Sequence, residues 1–153
     1  MRFISNAVLF LRICAFAAAV PYLLRLKLCR VVGAIEPGKD PWAVDEDRVR
    51  KITTYVEKAI RRGKPVVRPG CLTRGLTRYY FLRRAGMDVA LCFGMGRLDN
   101  DFVGHCWLVK NEEPYLEPPD QDPRNRYTEM YRISRTTSPA STEAGAVARF
   151  SGL

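Results

Sequence analysis

Cys71 stands directly after Pro69-Gly70, at the point where a helical pattern begins. The first turn of a helix presents unpaired backbone N–H groups and a partial positive charge, and both favour a thiolate over a thiol. A cysteine in that position, with an imidazole nearby, can have its pKa lowered to roughly 3.5–7.5. The thiolate is a nucleophile, and the adjacent N–H groups can stabilise the oxyanion that forms on an attacked carbonyl. The position of Cys71 therefore predicts acyl-transfer chemistry.

The chain has a single histidine, His105, which lies in the middle of a predicted strand. Strand alternation places it on one face with Trp107 and places its neighbour Cys106 on the other face. Taken alone, a histidine among apolar neighbours is more often a hydrogen-bonded core residue than a catalytic one. Together with Cys71 it suggests a Cys–His pair, in which the histidine accepts the thiol proton and later protonates the leaving amine.

A third side chain should orient that imidazole. The candidates are Glu117, on a strand predicted to return after a turn at residues 111–114, and Asp120, just beyond it. An antiparallel return would bring either carboxylate near His105, but the sequence does not fix the register. A solvated carboxylate at a strand end is the simpler interpretation of Glu117, and both candidates stay open here.

The composition limits the classes of protein that fit. With 153 residues, 47% hydrophobic and 27% charged, the chain predicts a single domain with a real core. One histidine and five cysteines without a C-x-x-C pair argue against a zinc site, and the odd number of cysteines argues against a disulfide scaffold. We therefore expect a reducing, cytoplasmic compartment, no metal, and one reactive thiol among buried ones. The net charge of +9 suits an acidic partner, but nothing resembles a DNA-reading helix, so we expect no nucleic-acid partner.

Residues 1–35 form an apolar, basic segment without an acidic residue. Its longest apolar run, from Ile13 to Leu24, contains Pro21 and is shorter than the roughly 20 residues of a spanning helix. A signal peptide and a membrane span are alternatives, and the favoured interpretation is a packed or surface-lying helix. The basic residues at 25, 27 and 30 suit anionic lipid headgroups, which would allow peripheral membrane association through residues 1–30.

Helices are predicted on either side of the proposed nucleophile. Residues 36–41 are a cluster of helix breakers. After them, a helix is expected from an N-cap at Asp45 to Gly63. A second helix is expected from Cys71 to Gly86.

The pattern then changes to strands. Four strands are predicted, over residues 89–94, 102–109, 115–117 and 127–134. Residues 138–153 are small, polar and weakly patterned, which predicts a disordered tail. The order of helices followed by an antiparallel meander predicts an α+β fold. We expect an N-terminal segment (1–35), a domain (36–137) and the tail.

Two segments resemble a known family. Residues 71–86, which begin Cys-Leu-Thr-Arg-Gly-Leu and end Phe-Leu-Arg-Arg-Ala-Gly, look like the nucleophile helix of the transglutaminase-like superfamily. More narrowly, they resemble the leader-peptide-removing proteases of lasso-peptide biosynthesis, where an alternating strand ending in glycine follows, here residues 88–94. Gly-His-Cys-Trp-Leu-Val at 104–109 is similar to the His-x-Trp-Val segment of those proteases. The resemblance covers residues 45–133.

The resemblance implies a papain-like α+β fold, in which a nucleophile-bearing helix packs on an antiparallel sheet beside N-terminal helices. It implies catalysis by Cys71, His105 and Glu117, where the glutamate replaces the aspartate usual in the family. It also leads us to expect that Cys106, where the family often has a small residue, is a core thiol facing away from the site.

The activity implied is that of a cysteine peptidase that removes the leader segment from a ribosomally made lasso-peptide precursor. A separate leader-recognition protein would deliver the precursor, because there is no room before Asp45 for a fused recognition domain, and a lasso cyclase would act on the product. Proteolysis in this family has been tied to ATP. Since the chain has no Gly-x-x-x-x-Gly-Lys-Ser/Thr loop, we expect no intrinsic cofactor and an ATP role supplied by a partner or an unconventional site.

Two other classes of protein are also compatible with the sequence. A transglutaminase-like module that binds a partner peptide without catalysis would have a Cys71 no more reactive towards iodoacetamide than a simple thiol. A basic nucleic-acid-binding protein would be retained on DNA in a strongly salt-dependent way.

Overall fold

The computed structural model describes residues 2–23, 44–63, 67, 69–98, 101–118 and 120–134. The helices in these ranges are α1 (Arg2–Leu23), α2 (Glu46–Arg62) and α3 (Cys71–Arg84). The strands are β1 (Ala90–Leu98), β2 (Asp101–Lys110), β3 (Glu113–Tyr115) and β4 (Thr128–Ile133), with a short 3-10 turn, Pro123–Asn125, before β4. Helices followed by one antiparallel sheet confirm the predicted α+β fold. The expected loop at 36–41, the basic residues at 25, 27 and 30, and the expected tail at 138–153 lie outside the described residues.

Both helices next to the proposed nucleophile begin and end close to where the sequence predicts. Asp45 caps α2, because its side chain accepts a hydrogen bond from the backbone N–H of Arg48 at 3.0 Å. Gly63 closes α2, and its N–H bonds the Ala59 carbonyl at 2.8 Å. At the end of α3, Gly86 adopts the left-handed backbone conformation that commonly terminates helices, with φ of 84°.

The four strands are ordered β3-β2-β1-β4 in the sheet. In the long β1–β2 hairpin, Cys92 pairs with Trp107 and Gly94 pairs with His105. By contrast, β3 pairs only with Leu108–Lys110 of β2. The outer edge of β2 is therefore not covered by β3 at His105, and a side chain from a helix can approach it there.

The connection between β2 and β3 differs from the predicted turn at residues 111–114. Asn111 and Glu112 both have positive φ, 52° and 63°, and Lys110 already pairs with Glu113. This is the two-residue hairpin connection that favours positive φ at both central positions. Pro114 is consequently part of the strand, which an edge strand tolerates. The strand predicted over 115–117 thus begins two residues earlier, at Glu113, and ends before Glu117.

The main hydrophobic core lies between the helices and one face of the sheet. Its fully buried side chains come from every large element: Ile13, Ile52, Val56, Leu76, Leu82, Leu91, Leu108 and Ile133. A smaller cluster on the opposite face contains Cys92, Trp107 and Val109. The alternation predicted for β1 and β2 is therefore confirmed. Burying one such leucine or isoleucine contributes roughly 1.5–3 kcal/mol, so this core decides how α3 sits on the sheet.

The N-terminal helix α1 is part of the same core. Ile13, Ala17 and Val20 have no exposed surface and pack with residues of α2 and α3. The opposite side of α1 leaves Leu11 and Tyr22 64% and 68% exposed. Among the described residues, one helical stretch, Asn6–Leu23, is long and apolar enough to cross a membrane. The helix thus packs on the domain and also presents an apolar outer face.

Candidate active site

Cys71 is the first residue of α3 and is half-buried. Gly70, at the N-cap, has no side chain that could accept a hydrogen bond from the first-turn N–H groups. A Cβ atom placed on Gly70 would meet nothing within 4 Å, so the space in front of the helix is open. The start of α3 therefore offers a sulfur and unpaired N–H groups to an approaching carbonyl.

The Cys71 sulfur is hydrogen-bonded to two consecutive residues of β2. The thiol of Cys106, the ring of His105 and the backbone N–H of Cys106 all contact it. These contacts lower the pKa of Cys71 to about 4, with the Cys106 thiol as the largest cause and His105 the next, although burial opposes the shift. Cys71 is therefore a thiolate at neutral pH.

His105 is the histidine partner of Cys71 in this pair. Its hydrogen bond to Cys71 raises the pKa of His105 above the ordinary 6.5; burial opposes the shift, and the charges of Cys71 and Glu117 add to it. The imidazole ring stacks on Tyr127, with ring centroids 4.9 Å apart, and lies 6.1 Å from the ring of Trp107. These two aromatic rings pack against the imidazole and restrict its orientation. Sequence reasoning missed Tyr127, which immediately precedes β4 and gave no local signal.

The expectation that Cys106 faces away from the site is wrong. Cys106 lies on the helix-facing side of β2, with Leu108, and its sulfur packs against Gly75 one turn along α3 from Cys71. A Cβ on Gly75 would come within 2.9 Å of the Cys106 sulfur, so the absence of a side chain there permits the contact. The hydrogen bond to Cys71, followed by burial, raises the pKa of Cys106. Cys106 therefore stays protonated and donates to the thiolate.

Glu117 lies beyond the end of β3 rather than on it. It follows Leu116, whose φ of 65° turns the chain out of the strand. Burial raises the pKa of Glu117 above its ordinary value, while the charge of His105 opposes the shift. Glu117 is thus electrostatically coupled to the imidazole, whereas Asp120 is a solvent-exposed residue. Of the two carboxylates considered from sequence, Glu117 is the one whose charge acts on the pKa of His105.

Two arginines on α3 extend the site and were not identified from the sequence. Arg74 and Arg78 bind Glu57 of α2 at 3.1 Å and 2.8 Å. The buried Arg78 also donates to the carbonyl of Leu116 at 3.5 Å, next to Glu117. Their positions in the sequence could have indicated this role. Arg74 and Arg78 follow Cys71 by three and seven residues, a spacing that places the three side chains on one side of a helix.

The fold and this pair define a class of protein: an α+β domain in which a thiolate at a helix start meets a histidine on an antiparallel sheet. The family model of the transglutaminase-like superfamily matches residues 10–132, and the chain belongs to that superfamily. The superfamily typically includes cysteine peptidases and acyltransferases. Comparison with curated proteins and with solved structures gave no match. The matched range includes part of α1 as well as α2, α3 and most of the sheet.

Proposed function

We propose that this chain is a cysteine peptidase and that its substrate is the leader segment of a ribosomally made lasso-peptide precursor. The single observation that carries the peptidase activity is the hydrogen-bonded Cys71–His105 pair at the open start of α3. The narrower choice of substrate is supported by the resemblance of residues 71–86 and 104–109 to the leader-removing proteases.

In the first half of the reaction, the Cys71 thiolate attacks the scissile carbonyl and forms a tetrahedral oxyanion. The first-turn N–H groups of α3 stabilise this oxyanion, since no side-chain cap occupies them. The imidazolium of His105 then donates its proton to the leaving amine as the C–N bond breaks. The C-terminal fragment departs with the new amine, and the N-terminal fragment remains on Cys71 as a thioester.

In the second half, the now neutral His105 removes a proton from water, which attacks the thioester. The C–S bond breaks, the carboxylic acid is released, and the thiolate–imidazolium pair is restored. Glu117 acts through its charge on His105 and favours the imidazolium. These steps draw on the chain's own groups, so we propose that it needs no metal or bound cofactor for the chemistry and that ATP acts through a partner.

The proposed partners are the precursor peptide, a separate leader-recognition protein and a lasso cyclase that uses the released core. The test searches the genes beside the chain's own for a short precursor and a leader-recognition protein, combines these with the purified chain, and follows the fragments by mass spectrometry. We expect one cleavage at the leader–core junction, no cleavage by the folded Cys71→Ala variant, and no effect of a metal chelator. Equal cleavage by Cys71→Ala would refute the peptidase proposal. Binding of the precursor without cleavage by a wild type whose Cys71 is unreactive would instead indicate a non-catalytic binding module.

We also propose a cytoplasmic location with peripheral membrane contact through the outer face of α1. The exposed side chains Val8, Leu11 and Tyr22 lie on this face and would insert at the lipid headgroup boundary, while the basic residues at 25, 27 and 30 of the sequence would attract anionic lipid. Co-sedimentation with vesicles of anionic lipid should weaken in Leu11→Gln. Leu98→Gln, at a similarly exposed leucine on β1, is the matched control and should bind like the wild type. Equal binding by both variants would contradict the role of α1.

A further inference from the structure

We infer that Cys106 is a resolving thiol: after a hydroperoxide oxidises Cys71, Cys106 forms a Cys71–Cys106 disulfide that reversibly blocks the nucleophile. The inference concerns the reactivity of two thiols towards an oxidant. It therefore goes beyond the proposed peptidase activity and does not depend on any particular peptide substrate.

The two sulfur atoms are held together by the packing of α3 on β2. The Cys106 sulfur packs against Gly75, one turn along α3 from Cys71, and its thiol donates a hydrogen bond to the Cys71 sulfur, so the two atoms that would be joined are neighbours. A Cβ on Gly75 would lie within 2.9 Å of the Cys106 sulfur. Closing a disulfide of about 2.05 Å requires a further approach of the two side chains. Cys71 can supply that movement because it is the first residue of its helix.

The two thiols differ in how easily an oxidant reaches them. Cys71 is half-buried beside the open space at Gly70, and its sulfur is the thiolate that peroxides attack most readily. Cys106 is only 4% exposed, and its thiol is hydrogen-bonded to the Cys71 sulfur. A hydroperoxide therefore meets Cys71 first, and the oxidised Cys71 meets Cys106 before it meets an external thiol.

The chemistry balances with a hydroperoxide as the oxidant. The Cys71 thiolate attacks the terminal oxygen, the O–O bond breaks, and the departing alkoxide or hydroxide takes the proton of the His105 imidazolium. Cys71 is then a sulfenic acid, oxidised by two electrons. The Cys106 sulfur attacks the Cys71 sulfur, the S–O bond breaks, and the Cys106 proton leaves with the hydroxyl group as water. A dithiol reductant returns both residues to their starting state.

The consequence is protection of the nucleophile. Without a neighbouring thiol, a sulfenic acid exposed to more peroxide proceeds to the sulfinic and sulfonic acids, which thiols do not reduce. With Cys106 in place, oxidation stops at the disulfide and activity returns on reduction.

The test exposes the purified protein to hydrogen peroxide and measures intact mass, peptide maps and iodoacetamide labelling of Cys71. We expect the wild type to lose the mass of two hydrogen atoms, to yield a cross-linked pair of peptides containing Cys71 and Cys106, and to regain labelling with dithiothreitol. Cys106→Ala should instead gain two or three oxygen atoms at Cys71 and fail to regain labelling. Cys92→Ala, which removes a buried thiol on the opposite face of the sheet, is the matched control and should behave like the wild type.

Cys106→Ser serves as a second variant, because a hydroxyl fills nearly the same space but cannot form a disulfide. The serine hydroxyl can also donate a hydrogen bond to the Cys71 sulfur, so this variant keeps the thiolate that Cys106→Ala, which lacks the donor, holds less well. Cys106→Ser should therefore gain two or three oxygen atoms at Cys71 and fail to regain labelling, with folding of both variants checked by circular dichroism. Sulfinic acid at Cys71 of the wild type without the Cys71–Cys106 cross-link would overturn the inference. These measurements use thiol chemistry alone, so they can be made even if the chain does not cleave the precursor. Normal cleavage of the precursor without a Cys71–Cys106 cross-link would refute the resolving role of Cys106 and leave the peptidase proposal standing.

Discussion

His105 hydrogen-bonds to the sulfur of Cys71 at the edge of β2 that β3 leaves uncovered. The contact joins the start of a helix to the middle of a strand, and it depends on β3 ending at Tyr115. A longer β3 would cover the edge that α3 approaches. The length of a three-residue strand therefore decides whether thiolate and imidazolium can meet.

The first prediction concerns the pH dependence of Cys71 alkylation. Since the hydrogen bonds from Cys106 and His105 lower the pKa of Cys71 to about 4, the rate of iodoacetamide labelling should rise as pH increases through about 4 and be level at neutral pH. The rate at each pH is measured by quenching the reaction at set times and quantifying the labelled protein by mass spectrometry, and circular dichroism monitors folding. An inflection near the ordinary thiol value of about 8.5 would contradict an activated thiolate.

The second prediction concerns the pH window of peptide cleavage. The reactive form needs an ionised Cys71 and a protonated His105, so activity should exist above the lowered pKa of Cys71 and below the raised pKa of His105. Activity is lost in acid as the thiolate gains a proton, and in alkali as the imidazolium loses one. A rate that keeps rising through pH 9 would show that His105 does not act as the general acid.

The third prediction compares two substitutions at the site. His105→Gln removes the general acid and a hydrogen bond to Cys71, so cleavage should fall by about 10²- to 10⁴-fold and the pKa of Cys71 should rise. The alkylation profile reports the second effect without any substrate. If the rate of Cys71 labelling at pH 6 is unchanged in a folded His105→Gln variant, His105 does not stabilise the thiolate.

The fourth prediction assigns the third side chain. Glu117→Gln removes a charge that raises the pKa of His105, so the alkaline limb of the activity profile should move to lower pH. We expect kcat/KM to fall by about 10- to 100-fold, less than for His105, because Glu117 acts through the imidazole. Asp120→Asn, at a solvent-exposed carboxylate, is the control and should match the wild type. The reverse ranking of the two variants would assign the role to Asp120.

The fifth prediction concerns the stability of the arginine cluster. Arg78 is buried and is bound to half-exposed Glu57 and to the carbonyl of Leu116. Arg78→Met should lower the free energy of unfolding by about 1–3 kcal/mol. This loss is smaller than for a fully buried ion pair, because Glu57 stays in contact with water and keeps its ion pair with Arg74. Urea unfolding measures this loss. The exposed Arg50→Met on α2 should stay within about 0.5 kcal/mol of the wild type, and an equal loss in both variants would contradict the prediction.

The sequence alone determined the features that depend on neighbouring residues. Asp45 marks the start of α2, Gly86 the end of α3, and the alternation of β1 and β2 sorts their side chains onto two faces. Capping, periodicity and alternation are local effects, so they can be read without knowing how the elements pack. The position of Cys71 at a helix start belongs to this group, and with it the prediction of a reactive thiol.

Only the tertiary structure decided which groups touch the Cys71 sulfur. The sequence placed Cys106 on the face of β2 opposite His105, yet both residues are hydrogen-bonded to that sulfur. This is possible because α3 begins at the edge of β2 that β3 leaves open, where the His105 side chain and the backbone N–H of Cys106 are both within reach. The two-residue turn at Asn111 moved β3 along the chain and carried Glu117 past its end. Such contacts depend on strand register and on the packing of a helix against a sheet edge, and these are set by the whole core rather than by any segment of the sequence.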